Sequence, residues 1–116
     1  MENNEKQKPI IIKDNKSGEP LYTLEFNRKT IAMAERVDFR VDELASKPYT
    51  TGQMLFYFSF LMHHPKIKKE TTDKLYDELD VVNNTELLIA LRKLYGAGLE
   101  SLNDGEEKNV RYALVM

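Results

Sequence analysis

The side chains in this sequence best suited to metal binding or proton transfer near neutral pH are its only two histidines, His63 and His64. A zinc or acid–base site needs ring nitrogens, or a nitrogen and a carboxylate, aimed at one point. Adjacent residues on a helix point about 100° apart, so this pair cannot chelate one ion together. Near a helix C-terminus their protonatable rings complement the negative end of the dipole instead. The carboxylates offer no better start. Glu70, Asp73, Asp77, Glu78 and Asp80 are interleaved with Lys66, Lys68, Lys69 and Lys74, the mixed-sign pattern of a solvated face. None stands isolated in an apolar setting, which raising a carboxyl pKa for general-acid work requires. With no cysteine in the chain, disulfides, thiolate metal sites and cysteine nucleophiles are excluded. Neither G-x-x-x-x-G-K-[ST] nor G-x-G-x-x-G occurs, and Gly96-Ala97-Gly98 is more simply a C-cap or a close helix contact. The expectation is no catalytic, cofactor or metal site.

The informative residues are apolar. Thr50 to Pro65, TTGQMLFYFSFLMHHP, holds Met54, Leu55, Phe56, Tyr57, Phe58, Phe60, Leu61 and Met62, interrupted only by Ser59. Thr50 with Gln53 three residues on reads as a capping box, and Pro65 ends the helix near His64. A bilayer span needs about 20 apolar residues, so this run is a helix, about Thr51 to His63, inside a soluble protein. At 100° per residue, Met54, Leu55, Tyr57, Phe58, Leu61 and Met62 share one broad arc. Phe56 and Phe60 lie one turn apart on the other side, with Gln53, His63 and His64. Either a second layer of this protein covers them, as in a central core helix, or another chain does. In the second reading Phe58 and Leu61 face the core, and Phe56, Phe60, Tyr57 and Met62 are the candidate protein-interaction residues.

The elements that must position this helix follow from local pattern. Met1 to Lys8 is a flexible polar lead, and residues 9–116 form a single domain. Pro9 to Ile12 and Leu21 to Phe26 are rich in β-branched and aromatic residues and read as two strands. Lys13 to Pro20, KDNKSGEP, is their loop. Tyr22, Leu24 and Phe26 share one strand face and Thr23 and Glu25 the other. Asn27 caps a helix over about Arg28 to Val37, with Ile31 and Ala34 inward. Phe39 to Ser46 reads as a short helical piece, with Val41 and Leu44 inward. Lys66 to Leu79 gives an amphipathic helix with sparse apolar positions at Ile67, Leu75 and Leu79. After a turn and cap at Asn83-Asn84, the last helix runs from Thr85 to about Tyr95 or Leu102, its stripe built from Leu87, Leu88, Leu91, Leu94, Tyr95, Leu99 and Leu102. Asn109 to Met116, NVRYALVM, alternates as a strand. It is placed either to join the N-terminal hairpin as a third strand or to serve another chain as an extended arm. The fold class is therefore mainly α with a small β element (α+β), a hairpin packed on about four helices.

Length and composition bound the rest. A chain of 116 residues suffices for one core without staples. With 41% hydrophobic and 31% charged residues, the balance is that of a soluble globular domain. A formal charge of −2 opposes strong binding to a phosphate backbone. No helix carries the basic and polar set that reads bases. The first residues, MENNEKQKP, lack the apolar core of a signal peptide, and the missing cysteines fit a reducing cytoplasm.

The order of segments resembles a known family. LEFNRKTIAMAERVDF, SKPYTTGQMLFYFSFLMHHPKIKKETTDKLYDEL and LLIALRKLYGAGLESL are similar to small tail assembly chaperones of long-tailed phages and prophages of Gram-positive bacteria. The similarity rests on an F-N-x-x-x-I helix entry, an aromatic helix ending in H-H-P-x-I and a Tyr-Asp-Glu-Leu helix, over roughly residues 21 to 115. It implies a role without catalysis. Such a chaperone coats the tape measure protein, keeps its long helical chain soluble and helps recruit tail tube protein subunits. Its partners are then the tape measure protein, the tail tube protein and further copies of itself, with no nucleic acid, no membrane and no cofactor. It acts in the host bacterial cytoplasm and is absent from the mature virion. The alternative is a structural head-tail connector or tail-completion subunit, which stays in the particle. A small DNA-binding prophage regulator comes third.

Overall fold

A computed structural model describes residues 7–100 and Val115. In chain order, strands β1 (Ile10–Lys13) and β2 (Pro20–Leu24) are followed by helix α1 (Arg28–Glu35) and a 3-10 turn at Val41–Glu43. Helices α2 (Pro48–Phe60) and α3 (Lys69–Glu78), a second 3-10 turn (Val81–Asn83) and helix α4 (Thr85–Glu100) complete it. The protein is thus α+β, with four helices and a two-stranded antiparallel sheet among the described residues. The expected strand over Asn109 to Met116 lies outside the described residues apart from Val115, as do most of the polar lead and Leu102.

Local chemistry explains most boundaries. Asn27 caps α1 through a full capping box: its side chain accepts from the Thr30 N–H, and the Thr30 hydroxyl oxygen accepts from the Asn27 N–H. Two orphan backbone donors are satisfied at once, a contribution of about 1 kcal/mol. Ile31 and Ala34 turn inward as the pattern requires. Helix α2 corrects the expected start. It begins at Pro48, with Lys47 as a cap that makes no side-chain bond, so the Thr50–Gln53 box does not form. Proline needs no partner for a missing N–H at the first helical position, and its fixed φ suits the turn. Helix α2 also ends earlier than expected, at Phe60 rather than beside His63. The segment from Phe39 to Ser46 makes only the 3-10 turn, entered through a left-handed Asp38 (φ 62°), a conformation aspartate tolerates.

Helix α3 differs too. It starts at Lys69, and its buried positions are Thr72 and Tyr76, whereas Leu79 is exposed. These polar residues go inside because both hydroxyls are satisfied there: Thr72 donates to the Lys69 carbonyl at 3.0 Å and Tyr76 to the Pro48 carbonyl at 2.9 Å.

Helix α2 is the centre of the molecule, and two sets of rings flank it. On one side Tyr22, Phe60, Phe56, Tyr76 and Tyr49 form a chain of edge-on and tilted contacts, with successive centroids 5.2, 5.0, 5.6 and 5.7 Å apart. On the other, Phe58, Phe39, Tyr95 and Phe26 do the same at 6.2, 5.7 and 5.2 Å. Such geometries add to simple area burial. This arrangement corrects the interface reading of Phe56 and Phe60. Both are wholly buried, covered by Tyr22 of the hairpin and Tyr76 of α3. A helix apolar all round has here found a second layer in its own chain.

Candidate interaction surface

The hairpin meets α2 edge-on. The outer edge of β2 and its continuation donate two backbone bonds to the end of α2, from Glu25 N–H to the Ser59 carbonyl at 2.8 Å and from Thr23 N–H to His64 Nε2 at 3.0 Å. Ser59 lies in the last turn of α2, where carbonyls lose their helical partners and must find others. His64 can accept at Nε2 only as a neutral ring with its proton on Nδ1. Burial holds its pKa below the usual 6.5, and the neighbouring His63 adds to the effect. The Glu25 carboxylate also meets His63 Nε2 at 2.8 Å. The two histidines therefore fasten a strand to a helix end, a role more specific than dipole complementarity.

The other edge of the hairpin meets no strand among the described residues. Ile11 pairs with Thr23, yet the Thr23 N–H points away, to His64. In an antiparallel ladder this makes Ile11/Thr23 a non-hydrogen-bonded pair, so the Ile11 N–H and C=O also point away from β2. They face the outer edge of β1, which has no strand beside it among the described residues. The Ile11 side chain is 43% exposed, and Leu21, in the irregularity opposite Ile12–Lys13, is 51% exposed. A short apolar edge strand of this kind is a template for pairing.

The four candidates from the aromatic run divide. Phe56 and Phe60 are core; Met62 is exposed, and Tyr57 is half-buried with its ring 5.0 Å from that of Phe58. The Ile11 edge went unsingled by sequence reasoning, although its signal was present. Three consecutive isoleucines on a period-two strand force the middle one onto the outer face.

Elsewhere, groups with chemical potential are engaged structurally. The Tyr49 hydroxyl donates to Asp77 Oδ1, which raises its pKa, and burial pushes Tyr76 up to about 12. Both stay protonated donors at neutral pH. Lys69 pairs with Asp73 at 2.8 Å. A depression of about 200 Å³ between the Val37–Arg40 loop and α2 is smaller than sites that enclose ligands. Among the described residues, no three His, Asp or Glu side chains are grouped to hold a metal ion, and no helix is long and apolar enough to cross a membrane.

The described residues thus define a small α+β fold with an aromatic core around α2 and an apolar strand edge that pairs with no other described strand. The chain belongs to the family described as a domain of unknown function, DUF5055, whose model matches residues 3–115. No curated protein and no solved structure matches it.

Proposed function

We propose that this domain is a phage tail assembly chaperone: it binds the tape measure protein, keeps it soluble and helps recruit tail tube subunits. It acts without catalysis, in the host bacterial cytoplasm, and does not remain in the mature particle. The observation that carries this reading is apolar surface left over once the core is complete. Ile11, Leu21 and Met62 are exposed while α2 is covered on both sides by the chain's own rings. Met62 is an adaptable thioether contact for a client helix, and the Ile11 edge is apolar surface suited to association between copies. The resemblance of the three segments to tail assembly chaperones supplies the client.

The test is co-expression of the tagged protein with the tape measure protein. Soluble co-purification of a tape measure that is insoluble when expressed alone supports the chaperone. An insoluble tape measure and an empty pull-down, with this chain recovered in purified particles, favours the head-tail connector or tail-completion subunit instead.

A further inference from the structure

We infer that the open edge of β1 is the contact between two copies of this protein, paired antiparallel about Ile11 into a continuous sheet of order β2-β1-β1-β2. This deepens the self-association within the proposed chaperone function and does not depend on which client is bound. The strand is complementary to itself in three respects. First, an antiparallel pair centred on Ile11 sets Ile11 opposite its own copy. Because the Ile11 N–H and C=O both point to the open edge, the two residues form a hydrogen-bonded pair and exchange both bonds. Second, Pro9 falls opposite Lys13 of the other copy. Pro9 has no N–H, so its carbonyl accepts there without leaving an unmatched donor of its own. Third, Lys8 falls opposite Asp14. The Asp14 side chain accepts from the Lys16 and Ser17 N–H groups through Oδ1, which leaves Oδ2 for the Lys8 ammonium, twice per dimer.

The apolar faces agree with this register. Ile10 and Ile12 face the core and are only half-buried. Across the two-fold each stands beside the other's equivalent, closing over both. On the opposite face, Ile11 meets Ile11 and loses its exposure. The β2 edge cannot take this part, because Ser59 and His64 already occupy it.

The chain contains no cysteine, so one introduced thiol reports this contact directly. In a hydrogen-bonded antiparallel pair the two Cα atoms lie about 5.5 Å apart, within disulfide reach. Ile11→Cys is expected to give a disulfide-linked dimer on mild oxidation. Leu21→Cys, similarly exposed on β2, is expected not to, because two intervening strands alone put its copies more than about 14 Å apart. Sedimentation velocity of the unmodified protein at micromolar concentration is expected to show a dimer. Ile11→Pro removes only the outward N–H and spares the ladder to β2. It is expected to weaken dimerisation by about tenfold or more with an unchanged circular dichroism spectrum. Ile11→Lys is expected to do the same should proline disturb the strand. A monomer at all these concentrations overturns the inference, as does equal cross-linking at positions 11 and 21. A dimer that survives both Ile11 variants overturns it too. Pairing of this edge by the chain's own C-terminal residues would give the monomer result. Each of these failures leaves the tape measure pull-down free to succeed, so the two proposals fall separately.

Discussion

His64 Nε2 lies 3.0 Å from the backbone nitrogen of Thr23, 41 residues earlier in the chain, and accepts its N–H. The same ring packs edge-on against Tyr22, with centroids 5.3 Å apart. One side chain thus supplies the missing ladder partner for a strand edge and a wall for the aromatic core. A neutral imidazole performs both tasks; an imidazolium can perform only the second, because its Nε2 carries a proton.

That relationship fixes the sign of a pH dependence. The folded-state pKa of His64 lies below its usual 6.5, so as pH falls the unfolded chain takes up the proton first. The contribution to stability is complete above pH 6.5 and is lost as pH falls through the folded value. Its size is that of one hydrogen bond, about 1 kcal/mol. The urea midpoint is therefore expected to fall between about pH 7 and 5. His64→Gln, which can still present an oxygen, is expected to flatten that slope. The neighbouring His63 meets Glu25, just past the same strand, at 2.8 Å, so His63→Gln serves as the control. A slope that survives unchanged in His64→Gln would show that His64 does not carry it.

The burial of Phe56 and Phe60 changes what their substitution does. Each is wholly enclosed, so Phe60→Ala is expected to destabilise by about 3–5 kcal/mol. The double variant Phe56→Asp with Phe60→Asp buries two unpaired carboxylates and is expected to abolish helical circular dichroism. Met62→Asp is expected to keep the fold and alter only association. A folded double variant with lost binding would restore the interface reading of the two phenylalanines.

The division between legible and hidden features follows physical range. Asn27 with Thr30, and the inward pair Ile31 and Ala34, were readable because capping and periodicity act within one or two turns. The ambiguity over Phe56 and Phe60 was of another kind. Whether the back of α2 meets solvent depends on Tyr22 and Tyr76, which approach from distant parts of the chain. Tyr76 was passed over because hydrophobic pattern favours Leu75 and Leu79, and nothing local reveals that its hydroxyl can reach the Pro48 carbonyl. The start of α2 at Pro48 was hidden for a simpler reason: Thr50 with Gln53 offers a capping box three residues on, while proline at the first helical position begins a helix without one. The open edge at Ile11 was implicit in three consecutive isoleucines, yet it became a surface only once His64 was seen to hold the opposite edge.

The two glycines near the end of α4 should respond in opposite directions. A Cβ at Gly96 would meet nothing within 4 Å, whereas one at Gly98 would lie 2.7 Å from Phe26 Cβ, 2.9 Å from Ile31 Cδ1 and 3.1 Å from the Phe26 backbone carbon. Gly96→Ala removes the helix penalty of glycine and is expected to stabilise by up to about 1 kcal/mol. Gly98→Ala gains the same propensity but drives α4 from the start of α1, for a net loss of about 1–3 kcal/mol. Thermal midpoints of the two variants check this. Equal shifts would mean that α4 does not pack as closely on Phe26 as described.

The first turn of α2 offers the sharpest test of the core. Tyr76 donates to the Pro48 carbonyl at 2.9 Å, and to reach it the phenol crosses directly over Gly52. A Cβ on Gly52 would overlap the Tyr76 hydroxyl and come within 2.9 Å of Cζ. Glycine is therefore required here for space, inside a helix where it would otherwise be unfavourable. Gly52→Ala is expected to destabilise by about 1–3 kcal/mol, as overpacking does, and Tyr76→Phe by about 1 kcal/mol for the lost bond. Because the clash and the bond share one oxygen, the double variant should be more stable than the sum of the single effects predicts. Denaturant unfolding of all four proteins measures that coupling. Strict additivity would place the Tyr76 hydroxyl away from Gly52, and with it would go the contact that joins α3 to the start of the central helix.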